Sequence, residues 1–239
     1  MSKLVVITGG SRGLGHALVE AYAADGWRVL ELSRSVYAGR ADVESVRLDL
    51  ADPEAASSRV TELLAERITP ELTHVHFISN AAALAPVGFA RTTREVGWRT
   101  HLDVNVASGI GVMSAFLAQV DSHPAHKLLV NISSGAATKA VRGWSLYCAS
   151  KAALEHWIRV VALEEASGDH PTVAINVAPG VVDTEMQQTI RSSSVADFPD
   201  HARFVELKES GTLRAPADVA KDLLELVEQP LETGASYRL

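Results

Sequence analysis

Six short apolar runs rich in β-branched residues, each followed by a longer amphipathic stretch, restrict what this chain can fold into. The runs are KLVVIT (3–8), RVLELS (28–33), SVRLDL (45–50), HVHFIS (74–79), KLLVNIS (127–133) and TVAINVA (172–178). Helical periodicity fills the gaps at 13–25, 53–67, 94–119, 146–166 and 216–228. Strands joined by connections long enough to hold a helix pair in parallel, and their buried faces read as continuous apolar runs. The pattern therefore predicts a single α/β domain over 1–239, a doubly wound parallel sheet with helices on both faces, and a last short strand near ASYRL. The stretch 183–215 breaks the rhythm, being polar with scattered Met186, Ile190, Phe198, Phe204 and Leu207, and it reads as a mobile helical flap.

Composition removes several function classes. A formal charge of −7 without a basic patch argues against nucleic acid or anionic lipid as partner. No apolar run approaches the roughly 20 residues that span a bilayer, so no membrane segment is expected. The one cysteine, Cys148, has no intrachain partner, and MSKLVVITGG runs straight into strand and turn. Both features predict a cytoplasmic protein.

Two short stretches carry chemistry. TGGSRGLG (8–15) places Gly9, Gly13 and Gly15 where the first strand turns into a helix. Glycines there admit positive φ and let a pyrophosphate approach the amides at the helix N-terminus, although a plain glycine-rich turn has the same composition. SLYCASK (145–151) places Tyr147 and Lys151 at i, i+4 on one helical face. A free tyrosine has a pKa of about 10, and a neighbouring ammonium that stabilises phenolate is expected to lower it.

Taken in order, these residues resemble the short-chain dehydrogenase/reductase family over nearly the whole chain. The family's Thr-Gly-x-x-x-Gly-x-Gly matches Thr8, Gly9, Gly13 and Gly15, and its adenine-contacting Asp matches Asp49 in LDL. Its Asn-Asn-Ala-Gly turn appears as SNAA, with Asn80 and Ala81 kept and Ser79 and Ala82 substituted. The helix asparagine matches Asn105, the serine matches Ser134 thirteen residues before Tyr147, and Pro-Gly-x-x-x-Thr matches Pro179, Gly180 and Thr184. The resemblance implies a Rossmann-type fold, an oxidoreductase, and a homodimer or homotetramer built through the helices at 94–119 and 146–166.

It also implies roles. Tyr147 would protonate the oxygen of a carbonyl as hydride reaches the carbon, with Ser134 bonded to that oxygen; Ser133 beside it is the competing serine. Lys151 would hold the nicotinamide ribose, and Asn105 would support a water linking Lys151 to solvent, unless it only shapes its helix. The dinucleotide would lie along Gly9, Ser11, Arg12, Gly13, Leu14, Gly15, Ser33, Arg34, Asp49, Leu50, Asn80, Ala81, Ala82, Tyr147, Lys151, Pro179, Gly180, Val182 and Thr184. At the end of the second strand Ser33 and Arg34 stand where an acid would select NADH, and Arg12 adds a second guanidinium, so NADPH is the expected cofactor. Glu31 is the competing acid, two or three residues early.

Longer segments, GWSLYCASKAA, ALEEA, APGVVDTEMQQ and LKESGTL, are similar to the branch containing sepiapterin reductases and bacterial benzil reductases. Sepiapterin reductases carry an acid near the C-terminus to anchor the pterin, where this chain has Arg238 in GASYRL. A guanidinium cannot accept the ring's amino protons. The reading is therefore reduction of apolar or aromatic ketones and vicinal diketones, in a pocket of Trp144, Met186, Val141 and Phe89 and with no metal. A secondary alcohol dehydrogenase, a pterin reductase and a dinucleotide-binding regulator remain as alternatives.

Overall fold

The computed structural model describes residues 2–93 and 97–239. Seven strands form one sheet: β1 Ser2–Thr8, β2 Arg28–Ser33, β3 Glu44–Arg47, β4 Leu72–Ser79, β5 His126–Ile132, β6 Thr172–Ala178 and β7 Ser236–Arg238. All pairings are parallel, in the order β3-β2-β1-β4-β5-β6-β7. The order reverses between β1 and β4, so the carboxyl ends of those two strands open the crevice in which α/β sheets bind ligands. The third run is shorter than expected. Asp49 and Leu50 lie beyond β3, where Asp49 Oδ1 accepts from the Ala51 amide at 3.0 Å in a local turn.

The helices are α1 Gly13–Ala24, α2 Pro53–Ala65, α3 Trp98–Leu102, α4 Ser108–Val120, α5 Ser145–Glu165, α6 Glu185–Ser192, α7 His201–Glu209 and α8 Pro216–Val227. The expected helix start at 94 lies outside the described residues. α2 begins where its sequence dictates, since Asp52 Oδ1 accepts from the Ala55 amide at 3.1 Å and Pro53 occupies the first turn. Between α3 and α4 the helix widens into a π turn over Asp103–Ala107. Single π turns of this kind collect at functional sites. Trp98–Val120 is 23 residues long, and an 18-residue window within it has mean hydropathy 1.2, so by length and composition alone it is more apolar than the sequence runs suggest. Here Val112, Met113, Phe116 and Val120 are fully buried, and Phe116 packs on Phe77 of β4 at 5.3 Å between ring centroids. In this fold it is a core helix, and truncating a phenyl such as Phe116 to Ala is worth about 3–5 kcal/mol.

Both sheet faces are covered. One apolar layer joins β1, β2, β4 and β5 to α2, α4 and α5, and the other joins the opposite face to α1 and α8. A third, smaller cluster lies outside the sheet, where the 183–215 segment folds as α6 and α7 against the loop before α5. Arg142 and Asp200 pair across that contact at 2.9 Å, and Lys208 pairs with Asp183 at 2.6 Å.

Gly15 shows how tightly β1 turns into α1. A methyl group there would overlap the Gly9 carbonyl oxygen and crowd the Asn80 amide. Helix propensity alone would make Gly15→Ala stabilising by about 1 kcal/mol, whereas overpacking costs about 1–3 kcal/mol. The overlap is with backbone and has no flexible atom to yield, so Gly15→Ala is expected to lower the Tm by about 2–6 °C. A Tm at or above wild type in a thermal melt would refute it.

Candidate active site

The loops after β1 and β4 are sewn together. Thr8 Oγ1 accepts from the Asn80 and Ala81 amides at 3.0 and 3.1 Å, while Asn80 Nδ2 donates to the carbonyls of Thr8 and Gly9 at 3.1 and 3.2 Å. Gly9 and Gly13 have φ of +72° and +57°, which only glycine adopts without strain. α1 has no side-chain cap and no acid in its first turn, so its leading amides are free to meet an anion. A would-be Cβ on Gly13 sits 3.3 Å from the Thr184 methyl, which brings the entry to α6 against the glycine loop. This cradle fits a dinucleotide.

The adenosine side is more particular. Ser33 is buried and donates to the Ser35 carbonyl at 2.6 Å, and Arg34 beyond it is exposed. Arg12 reaches instead across to α6, where its guanidinium pairs with Glu185. Glu31 is completely buried within β2. Its Oε2 accepts from Ser45 Oγ at 2.7 Å and its Oε1 has no partner. Leu50 is buried and its carbonyl takes the Ser108 hydroxyl at 2.7 Å. Ser11, Leu14, Ala82 and Pro179 are half-buried, Gly180 is exposed, and Val182 is buried beside Arg214.

α5 grips the end of β5 at three successive turns. Ser134 lies beside the Tyr147 phenol and favours its charged form while its Oγ accepts from the Ala136 amide at 3.1 Å, Lys151 Nζ donates to the Ile132 carbonyl at 2.7 Å, and Glu155 Oε2 accepts from Ser133 Oγ at 2.9 Å. Ser133 is thereby committed to Glu155, and Ser134 is the serine beside the phenol. Arg159 and Ser236 complete the other oxygen of Glu155 at 2.7 and 2.8 Å. Tyr147 and Lys151 are 7% and 4% exposed. Burial decides both titrations. It pushes the phenol up to about 12 against the opposing pull of Ser134, and it lowers the ammonium to about 8. The expected lowering of Tyr147 by Lys151 is not found, because the ammonium is 5.9 Å from the ring centre and turned to a carbonyl.

Asn105 sits within the π turn. Its Oδ1 accepts from the Ala83 amide and its Nδ2 donates to the Ala83 carbonyl, both at 2.7 Å. Next to it lies His101, which sequence reasoning passed over together with Ser150 and Glu155. The signal was present: His101 precedes Asn105 by one helical turn, as Glu155 follows Lys151.

Trp144 is buried against the flap. It stacks on Phe198 at 5.0 Å and 11°, tilts against Phe204 at 5.5 Å, and meets Tyr147 edge-on at 5.7 Å. Val141 and Met186 border this cluster, and Trp144 Nε1 has no partner. Phe89 is not brought to it and lies instead under the Arg91 guanidinium at 4.7 Å.

Residues 3–194 match the family model described as short chain dehydrogenase. A benzil reductase ((S)-benzoin forming) of Bacillus subtilis is 35% identical over 98% of this chain and 97% of its own length. The sepiapterin reductase of Mus musculus is 34% identical over 96% of this chain and 94% of its own. Among solved structures, that of the KRED1-Pglu enzyme superposes with a TM-score of 0.85 at 29% identity, covering 98% of this chain and all of that one.

The buried ammonium yields a signed expectation. The Lys151 group falls from an unfolded value of 10.5 to about 8 in the folded chain. Between those values the unfolded chain holds the extra proton, so stability rises with pH across the window and the cost is full below it. Lys151→Met is expected to raise the Tm at pH 7 on the order of 2–4 °C, an advantage that fades above pH 8. A lower Tm for Lys151→Met at pH 7 would show that the Ile132 hydrogen bond outweighs burial.

Proposed function

The chain belongs to the short chain dehydrogenase family, and from that premise we propose that it is an NADPH-dependent carbonyl reductase acting on apolar or aromatic ketones, vicinal diketones above all. The observation that carries this reading is Tyr147, a phenol that burial keeps protonated, beside Ser134 and a buried lysine. A phenol pushed up to about 12 is neutral throughout the physiological range, the state required of an acid.

A bound nicotinamide would supply the hydride for the carbonyl carbon; the glycine loop, Asn80, Ala81, Lys151, Pro179 and Thr184 would hold the dinucleotide. Tyr147 gives its proton to the carbonyl oxygen as negative charge develops there. Ser134 donates a hydrogen bond to the same oxygen and fixes its place. Lys151, carried by the Ile132 carbonyl, keeps a positive charge near the phenol, and Asn105 supports the path by which the proton is restored. The same residues would serve alcohol oxidation, in which the Tyr147 phenolate takes the proton back.

Exposed Arg34 at the end of β2, with Glu31 buried and bonded to Ser45, supports selection of the 2′-phosphate over a free ribose. The apolar wall of Val141, Trp144 and Met186 and the likeness to benzil reductases support the diketone class. Likeness to sepiapterin reductase favours a pterin as second reading, with Arg238 in the outer strand β7 arguing against it. A cytoplasmic homodimer or homotetramer completes the proposal, and exposed Val160 and Leu163 on α5 support self-contact there.

A panel of benzil, smaller diketones, sepiapterin and secondary alcohols, run with both cofactors, tests the assignment; turnover of pterins alone would replace it with the second reading. Tyr147→Phe is expected to lower kcat by about 10²- to 10⁴-fold while cofactor affinity measured by fluorescence titration is kept. Near-normal turnover would remove Tyr147 from the chemistry. Arg34→Asp is expected to lower the NADPH/NADH ratio of kcat/KM by about ten- to a hundredfold, the worth of one charge-assisted hydrogen bond. An unchanged ratio would place Arg34 outside the phosphate site.

A further inference from the structure

His101 is a buried imidazole, 2% exposed, that the mechanism above does not use. Its Nδ1 lies 2.8 Å from the Ala85 carbonyl oxygen, which can only accept, so the proton sits on Nδ1 and Nε2 is an acceptor. Nε2 faces Asn105 Nδ2 at 3.1 Å and Ser150 Oγ at 3.2 Å. Ser150 Oγ in turn donates to the backbone carbonyl of Tyr147 at 2.9 Å. One ring thus touches the loop after β4, the π turn and the catalytic helix.

The Asn105 amide has no freedom left. One Nδ2 hydrogen goes to the Ala83 carbonyl, Oδ1 takes the Ala83 amide, and the second Nδ2 hydrogen has His101 Nε2 at 3.1 Å as its near acceptor, with Ser150 Oγ farther off at 3.4 Å. Without His101 that N–H keeps only the long contact to Ser150 Oγ, and the amide regains a good partner only by turning away from Ala83 or admitting water. We propose that His101 is a positioning residue for carbonyl reduction: as the Nδ1–H imidazole it locks the Asn105 amide and so keeps the 83–85 loop in register with α5. This rests on the reductase reading of Tyr147, Lys151 and Asn105. His101 is not an acid or base of the reaction, because its ring nitrogens are spent on Ala85 and Asn105 and its link to Tyr147 runs through Ser150 to a backbone carbonyl. Asn80 and Ala81 are tied separately to Thr8, so cofactor affinity is insulated from His101 while the proton path is not.

Three variants separate the two nitrogens. His101→Gln places an acceptor near the Nε2 position, His101→Asn keeps only the Nδ1-side donor to Ala85, and His101→Leu keeps neither. The expected kcat for benzil falls by about ten- to a hundredfold in His101→Asn and His101→Leu, the worth of one buried hydrogen bond, and stays within about threefold of wild type in His101→Gln. KM and the NADPH Kd move less than about threefold throughout, a kcat-against-KM split that general loosening would not give. Hydrogen exchange at the Ala83 amide, read on the same proteins, is expected to quicken about tenfold in His101→Asn and His101→Leu and to remain as wild type in His101→Gln. Equal kcat in all three variants, or a His101→Gln as slow as His101→Leu, overturns the proposal. If the wild type reduced no carbonyl, the reductase reading would fail by itself. The exchange order would then still decide whether His101 holds Asn105, and equal exchange in all variants would overturn that too.

Discussion

The interaction on which the rest of the site depends is the hydrogen bond from the buried Lys151 ammonium to the Ile132 carbonyl at 2.7 Å. A lysine with 4% exposure and no carboxylate partner among the described residues is a costly residue to keep. What it achieves is placement. Together with Glu155 on Ser133, and with Tyr147 beside Ser134, it docks three successive turns of α5 onto the last residue of β5 and the two that follow it. The phenol, the serine and the ammonium therefore share one rigid contact between a helix and a strand end, and sites built on such elements hold geometry better than sites on loops.

Around that contact the polar groups are arranged in closed sets. The Thr8 hydroxyl serves two amides of the β4 loop, Asn80 returns two bonds to the β1 loop, and Asn105 spends its amide on both ends of Ala83. Each set bridges elements distant in sequence, which fixes the crevice at the sheet's switch point without any ligand. Among the groups left open by the described residues are the α1 amides, exposed Arg34, Glu31 Oε1 and Trp144 Nε1. The α1 amides and Arg34 suit a phosphate, and Trp144 Nε1 belongs to the flap side.

Much of this was legible in the chain because it is local. Strand runs, the glycine turn, the Asp52-Pro53 helix start and the i, i+4 spacing of Tyr147 and Lys151 all follow from periods of two or 3.6 residues and from turn chemistry. The family resemblance added the order of the motifs, and the model match over residues 3–194 bears the family out. What escaped depends on contacts between distant segments. The burial that raises the Tyr147 phenol requires the flap to close over Trp144, and a lysine four residues away gives no hint of its size. The π turn at Asp103–Ala107 has no sequence period of its own. The pairing of Arg12 with Glu185, 173 residues away, has no local period to announce it.

That last pair joins the two halves of the cofactor reading. Thr184 packs on Gly13, and Glu185, the next residue, takes the Arg12 guanidinium, so the beginning of α6 is docked on the glycine loop at two adjacent points. Both side chains of the pair are more than half exposed, so its own contribution is small, on the order of 1 kcal/mol or less. A surface pair of that strength is readily exchanged for a better partner. A phosphate arriving at the α1 N-terminus would compete with Glu185 for Arg12, while the Gly13–Thr184 contact would keep the flap in place. Thr184 beside Gly13 and the charge pair next to it thus place the segment that carries Phe198 and Phe204 against the glycine loop.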